Sequence, residues 1–273
     1  MNSIRKLSLE ALILLIALLF LSPFYFVFIN SVKGFFELMT NVAGWPKHFV
    51  WANYANAWEA LNYPKAFLNS LLVTVIGVTG IVVFSSMAAY RIVRHDSAFN
   101  RILLVLFIAA MVIPFQSIMI PLSVVSSSLG ILNQVWGLAV IYWGLGLSLA
   151  TFLLQGFVRT IPYELEESAI IDGCSPYGVF WRIVFPLLKP MIVTVIILNT
   201  LWLWNDYLLP SLILSDLNVR TIPLATYSFF AEYLKQWDLG LAGLVLSIAP
   251  LLLFFLLMQK HIIEGVTAGS VKG

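Results

Sequence analysis

IPYELEESAIIDGCSPYGVFWRIVFPLLKP, residues 161–190, is a polar interruption between two long apolar blocks. It holds Glu164, Glu166, Glu167, Asp172, Arg182 and Lys189 in a chain of which only 10% is charged. Two short helices are read from it. Pro162 suits the first turn of one, where its missing N–H is no loss and its φ is already helical. Glu164, Glu166 and Glu167 follow in the turn where the helix dipole favours negative charge. Asp172-Gly173 ends that helix, because Gly takes the left-handed conformation cheaply. Ser175 caps the next helix and Pro176 opens it. The expectation is helix, turn, helix, too polar to span a bilayer and too apolar for a loose loop. Tyr163, Leu165, Ala169, Ile170, Val179, Phe180 and Ile183 offer apolar surface for docking.

The flanking blocks are membrane-like. Hydrophobic residues make up 61% of the chain, against roughly 45–50% in soluble domains. Working outward from the loop, 135–157 and 187–209 read as spans four and five, each long enough to cross hydrocarbon. Gly137, Gly144 and Gly146 allow close packing of span four. Span six is 239–258, with an outer loop 210–238 before it. Upstream, 7–29 reads as an uncleaved first span, too long for the apolar core of a signal peptide and lacking a small-x-small cleavage site. Residues 33–65 turn polar and aromatic, with Trp45, Trp51, Tyr54, Trp58 and Tyr63 suited to the headgroup level. Span two is 66–90 and span three 102–122, where Pro114 and Pro121 predict a kinked helix.

Six spans put both termini on one side. Ten Lys and Arg residues fall in segments on that side and five on the other. The positive-inside rule therefore places both termini and 161–190 in the cytoplasm. A net charge of +2 gives nucleic acid no electrostatic footprint. The single cysteine, Cys174, excludes an intrachain disulfide; it reads as a small buried residue or, alternatively, a reactive thiol. His48, His95 and His261 are too scattered for a metal set. There is no Gly-x-x-x-x-Gly-Lys-Ser/Thr phosphate loop, so the chain is expected not to hydrolyse ATP. Ionisable residues are nearly absent within the spans, which weighs against a proton- or sodium-coupled carrier.

Glu167, Ala169, Gly173, Ile183 and Pro186 stand at the spacing of the "EAA" loop, which resembles that of permease subunits of ABC importers. Ser168 replaces an Ala of that pattern. Asp172, FWRIVFPLLKP and the ending QKHIIEGVTAGSVKG resemble the carbohydrate-importing, maltose-type branch. The resemblance implies an all-α integral membrane protein with the type I importer permease fold, six transmembrane helices and cytoplasmic EAA coupling helices. Its segments would be 1–65, a first helix and outer interfacial segment; 66–259, the permease core; and 260–273, a cytoplasmic tail. The implied activity is import of a sugar across a prokaryotic cytoplasmic membrane, as half of a pore. Partners would be a homologous second permease, two ATPase subunits carrying ATP and Mg, a solute-binding protein and the bilayer. No cofactor is expected in this chain. A non-sugar solute on the same fold, or a self-contained secondary transporter, remain the alternatives.

The coupling residues expected from the motif are Glu167, Ser168, Ala169, Asp172, Gly173, Ile183 and Pro186. In the tail, Glu264, Gly265 and Gly269 are implied to contact the ATPases. Gln116 and Asn199 are polar residues within spans, read either as interhelical hydrogen-bonding groups or as pathway lining. Trp204, Asn205 and Asp206 crowd the outer end of span five with Trp202 and Tyr207. That cluster is an interfacial aromatic belt or a sugar surface, since C–H faces stack on rings and hydroxyls bond amides and carboxylates. The resemblance also implies binding-protein contact through the outer loop, with Asp216, Asn218 and Arg220 as candidates beside Tyr233; the alternative reading is a membrane-surface connector, since its aromatics also suit the interface.

Overall fold

Backbone amides cannot stay unpaired in hydrocarbon, and the chain meets that constraint with helices alone among the described residues. The computed structural model describes residues 3–230 and 236–270, with side chains for 6–230 and 236–260. Tyr233 therefore lies outside the described residues. Four helices are long and apolar enough to cross a membrane: Lys6–Ser31, Tyr63–Arg94, Val135–Val158 and Trp237–Lys260. Two further pairs pass only if each bent pair counts as one span, which brings the total to the expected six.

The chain divides into two compact units. The first holds the residues up to Tyr63 together with Ala225–Pro250; the second holds Pro64–Leu224 and the residues from Leu251 onward. In the first unit, α1 (Ser3–Ser31) exposes apolar side chains all round, among them Leu14, Leu18 and Phe20. Such a surface needs lipid or a partner against it. Short helices α2 (Phe35–Thr40) and α3 (Ala52–Ala60) follow. Between them the polar stretch folds around Lys33, which is fully buried. Its Nζ donates to Asn30 Oδ1 at 3.0 Å and to the carbonyls of Asn41 and Gly44, each at 2.7 Å. Burial pushes the ammonium below its usual range, while Glu37 pulls it up. Asn53 ties the same segment by donating to the Ser31 and Lys33 carbonyls.

The second unit is built on α4 (Tyr63–Arg94) and α7 (Val135–Val158). Trp143 of α7 donates to the Ile76 carbonyl of α4 at 2.9 Å, and its indole occupies the space that a Cβ at Gly80 would fill. Span three is not one kinked helix. It is α5 (Ala98–Val112) and α6 (Phe115–Ser128), bent by 106° at Pro114. Proline prevents the preceding residue, Ile113, from staying helical, and Ile113 is extended. Pro121, by contrast, is accommodated inside α6.

Span five is shorter than expected. Its straight part is α11 (Lys189–Asn205), ending at Asp206. The outer stretch beyond is not an open loop but α12 (Leu208–Ile213), a 3-10 turn Leu217–Val219 and α13 (Ile222–Tyr227). The last helix, α14 (Trp237–Ser270), runs on as helix past the expected tail boundary at 260.

Lys33 generates a prediction. Lys33→Met would leave buried carbonyls without a donor, at about 1–3 kcal/mol each. Thermal unfolding in detergent should show a clear fall in midpoint for Lys33→Met and none for Lys47→Met, whose side chain is exposed. Equal midpoints would show that the carbonyl cluster does not depend on the ammonium.

Candidate functional site

Residues 161–190 fold much as local chemistry dictates. Helix α8 (Glu164–Ile171) starts two residues after Pro162, not on it. It ends in a Schellman motif: the Gly173 amide donates to the Ile170 carbonyl and the Cys174 amide to the Ala169 carbonyl, each at 2.9 Å. Gly173 has φ +86°, and a Cβ there would meet open space, so the turn needs glycine for its torsion and not for room. Ser175 Oγ accepts from the Gly178 amide and Pro176 opens the short α9 (Pro176–Val179). A π turn, Phe180–Val184, follows and leads into α10 (Phe185–Leu187). The wide turn gives the ring of Pro186 room beside the carbonyl of Arg182. The chain then bends by 73° into α11 at Leu188, which is fully buried.

Two adjacent glutamates face different surroundings. Glu167 is exposed, as are Ser168 and Asp172. Glu166 is 2% exposed and holds the loop to α4. Tyr90 Oη donates to Glu166 Oε2 at 2.7 Å, and Arg94 Nε to Oε1 at 2.6 Å. Arg94 also donates to the Ile161 carbonyl at 2.9 Å and lies over the Tyr163 ring. Sequence reasoning missed this cluster. The available signal was the doubled Glu, since neighbours on a helix point about 100° apart. The apolar surface also differs from expectation. Val179 and Phe180 turn into the chain's own core, and Ala169 and Ile183 are half-buried. Tyr163, Leu165 and Ile170 remain exposed, joined by Ile171, which is 85% exposed, and Tyr177. Pro186 is exposed.

A second feature lies within the membrane-level part of the same unit. A cavity of about 410 Å³ is lined by residues around the α5–α6 break, by Leu145, Gly146 and Leu149 of α7, and by Asn199, Trp202 and Asp206. Asn199 Nδ2 donates to the Val195 carbonyl at 2.8 Å, and its Oδ1 lies 3.1 Å from where a Cβ on Gly146 would sit. Asp206 accepts from Tyr142 Oη at 2.7 Å and from the Leu208 amide at 2.9 Å. Tyr142 meets the Trp202 ring edge-on, centroids 5.4 Å apart. Of the pathway candidates, Asn199 and Asp206 come together here with Trp202. Trp204 instead packs into the core against Phe67, Asn205 is exposed and bonds the Leu201 carbonyl, and Gln116 is exposed just outside the lining. Their positions within spans three and five could not reveal this, because a rotation of one residue decides which face is lined.

At the outer end, Asp216 Oδ1 accepts from the Asn218 amide at 2.7 Å, and Asn133 Oδ1 accepts from the Ser215 and Asp216 amides. Asp216 and Asn218 are exposed and Arg220 is half-buried. Glu264, Gly265 and Gly269 belong to the α14 backbone, and their side chains lie outside the described residues. Among the described residues no three His, Cys, Asp or Glu side chains gather as a metal set.

Comparison with known proteins agrees with this architecture. Residues 81–267 match the family described as binding-protein-dependent transport system inner membrane component. The chain is 42% identical to the probable starch degradation products transport system permease AmyC of Thermoanaerobacterium thermosulfurigenes, over 98% of each chain. It is 32% identical to the melibiose/raffinose/stachyose import permease MelC of Bacillus subtilis, over 100% of each. Among solved structures, a chain of a bacterial ABC transporter that imports the acidic polysaccharide alginate superposes with a TM-score of 0.81. At 20% identity, covering 94% of this chain and 96% of that one, it shows the shared fold alone.

Gly173 is the most demanding backbone position of the loop. Gly173→Val should cost about 1–2 kcal/mol through the left-handed φ. Amide hydrogen exchange at positions 173 and 174 should then quicken roughly five- to thirtyfold, with that of α7 unchanged. Unchanged exchange would mean that the turn does not hold this conformation.

Proposed function

The chain belongs to the family of binding-protein-dependent transport system inner membrane components, and from that membership we propose that it is one of two homologous permease subunits of an ATP-driven sugar importer. It is a multi-pass membrane protein and a transport permease. The sugar assignment rests on relatives named for starch products and for raffinose-type sugars that match end to end. The second subunit meets the apolar faces of α5 and α6, where Val112 and Ile120 are each nearly four-fifths exposed. The two ATPase subunits carry the ATP and Mg. A solute-binding protein meets the outer surface around Asp216, Leu217 and Asn218, all exposed. Both termini lie in the cytoplasm of a prokaryote; with Lys33 buried, the outer side carries still fewer free cations.

The observation that carries this reading is the paired glutamate of α8. Glu166 fixes the loop to its own chain, and the exposed Glu167, Ile170, Ile171 and Tyr177 present a face that none of the described residues covers. An apolar face with one charge, held rigidly, suits a groove on another protein, where a charge-assisted bond is stronger than a neutral one. ATP binding draws the ATPases together; the docked loop moves with them and turns the pore outward. Hydrolysis releases it. Ser168, Asp172, Gly173, Ile183 and Pro186 keep the shape of that element, and the end of α14 with Glu264, Gly265 and Gly269 extends toward the same partners.

The cavity is the proposed sugar-lining surface of this half. Trp202 offers a ring and Asp206 and Asn199 offer polar atoms, the pairing that a sugar's C–H faces and hydroxyls use.

Two experiments test these roles. Glu167→Lys should leave the protein inserted in the membrane but reduce co-purification of the ATPases and abolish uptake. Normal attachment and uptake would remove the loop from the coupling path. In reconstituted vesicles, Trp202→Ala should raise the KM for sugar uptake about two- to tenfold, from loss of about 0.5–1.5 kcal/mol of stacking. Trp204→Ala should instead lower stability with little effect on KM. An unchanged KM in Trp202→Ala would take the cavity off the sugar's route.

A further inference from the structure

Helix α4 holds something at each end, and all but one of the groups that do so lie on one face. At its outer end, Lys65 Nζ donates to Asn218 Oδ1 at 3.2 Å. Asn69 Nδ2 donates to the carbonyls of Asn218 and Arg220, at 3.1 and 3.0 Å. Ser70 Oγ accepts from the Ile222 amide at 2.8 Å. Asn69 and Ser70 are buried, so these bonds compete little with water. At its inner end, Tyr90 and Arg94 grip Glu166, and Arg94 grips the Ile161 carbonyl. The two ends are thus bonded to the outer segment 218–222 and to the loop that carries Glu167.

Helical geometry sharpens the point. At about 100° per residue, Lys65, Asn69, Tyr90 and Arg94 fall within a stripe of roughly 60°. Asn69 and Tyr90 are separated by about 32 Å along the axis, close to the full hydrocarbon thickness. Between them the helix is unbroken, whereas its neighbours α5–α6 and α10–α11 bend by 106° and 73°. Trp143 of α7 bonds the Ile76 carbonyl near the middle and braces it. Glu166 has its ionic charge answered by Arg94 and its second oxygen by Tyr90, so the latch leaves neither carboxylate oxygen without a donor.

We propose that α4 is a strut that carries the state of the outer segment 216–222 to the coupling loop, with Glu166, Tyr90 and Arg94 as the latch at its inner end. Docking of a solute-binding protein on Asp216–Asn218 loads the Asn69 end. The unbroken helix moves as one body, and the latch shifts α8 with its exposed Glu167. These are positioning residues that touch neither sugar nor ATP. The proposal rests on the reading of 161–190 as the element that docks on the ATPases.

The test uses the assembled complex of both permeases and ATPases, in lipid vesicles with its binding protein. Glu166→Gln and Tyr90→Phe should keep the ATPases attached and basal hydrolysis intact. Stimulation by the binding protein, and uptake per ATP, should fall by at least about fivefold. Asn69→Ala should do the same from the other end. Because both act on one path, Glu166→Gln with Asn69→Ala should be no worse than the more severe single variant. Should Glu166→Gln fail to insert, Tyr90→Phe, which removes one bond and no charge, decides. Stimulation at normal levels in an intact Tyr90→Phe or Glu166→Gln complex overturns the strut, as do losses that multiply in the double variant. Loss of ATPase attachment in Glu166→Gln also overturns it, because the cluster would then only shape the docking face. ATPases that stay attached and coupled in Glu167→Lys would defeat the underlying reading of the loop instead, whatever α4 does.

Discussion

A backbone amide or carbonyl left unpaired in hydrocarbon costs several kcal/mol, and this requirement governs where the chain can depart from a straight helix. Each departure comes with its own replacement bonds. At Pro114 the next helix begins with the Ser117 amide donating to the Pro114 carbonyl at 3.0 Å. At Leu188 the bonds from Leu188 to Val184 and from Ile192 to Leu188 carry helical pairing across the bend. Pro186 and Pro190 on either side have no N–H to strand. At Asp206 the carboxylate takes the Leu208 amide that the ended helix cannot.

Those interruptions create the interior space. The cavity lies where the α5–α6 break, the end of α11 and the start of α12 meet α7. A bundle of straight helices would fill that space with side chains. Gly146 allows Ile81 and Asn199 to approach α7 closely, so the polar Asn199 is held beside the cavity while its amide is occupied by the Val195 carbonyl. Asp206 both ends the helix and presents a carboxylate, with Tyr142 and the Leu208 amide compensating its charge by hydrogen bonds. Structural repair and polar lining are supplied by the same residue.

The loop 161–190 separates two tasks that a single residue could not perform. A carboxylate buried in an ion pair with Arg94 cannot also reach a partner protein, and an exposed one cannot brace the loop. Adjacent Glu166 and Glu167 divide the work because successive side chains diverge on a helix. The brace runs to α4, not to α7 or α11, which are the loop's neighbours in sequence. The loop therefore meets the membrane domain through three helices.

How much was legible follows the range of the forces involved. The all-helical membrane class, the last-turn glycine at Gly173, the Ser175 cap, the Pro176 start and the extent of α7 were readable, because each depends on residues within a turn or two or on sustained hydrophobicity. A single kinked helix was expected for span three, since Pro114 and Pro121 look alike in sequence, yet one breaks it into two helices bent by 106° and the other is absorbed. The ordered helices of the outer stretch were taken for loop, because their short apolar runs lack a period of their own and are held by Asn69, Ser70 and Asn133 from far along the chain. Burial of Lys33, the latch on Glu166, and the division of Asn199, Asp206 and Trp202 from Trp204, Asn205 and Gln116 were not readable at all. By itself the sequence determined where the long apolar helices run, where the glycine stop and serine cap of 161–190 fall, and that the chain lives in a bilayer, since backbone torsion and transfer free energy are local. Only the tertiary structure decided which polar side chains meet, because pairing across 72 or 151 positions, as in Arg94–Glu166 and Asn69–Arg220, depends on helix rotation and packing that no local rule specifies.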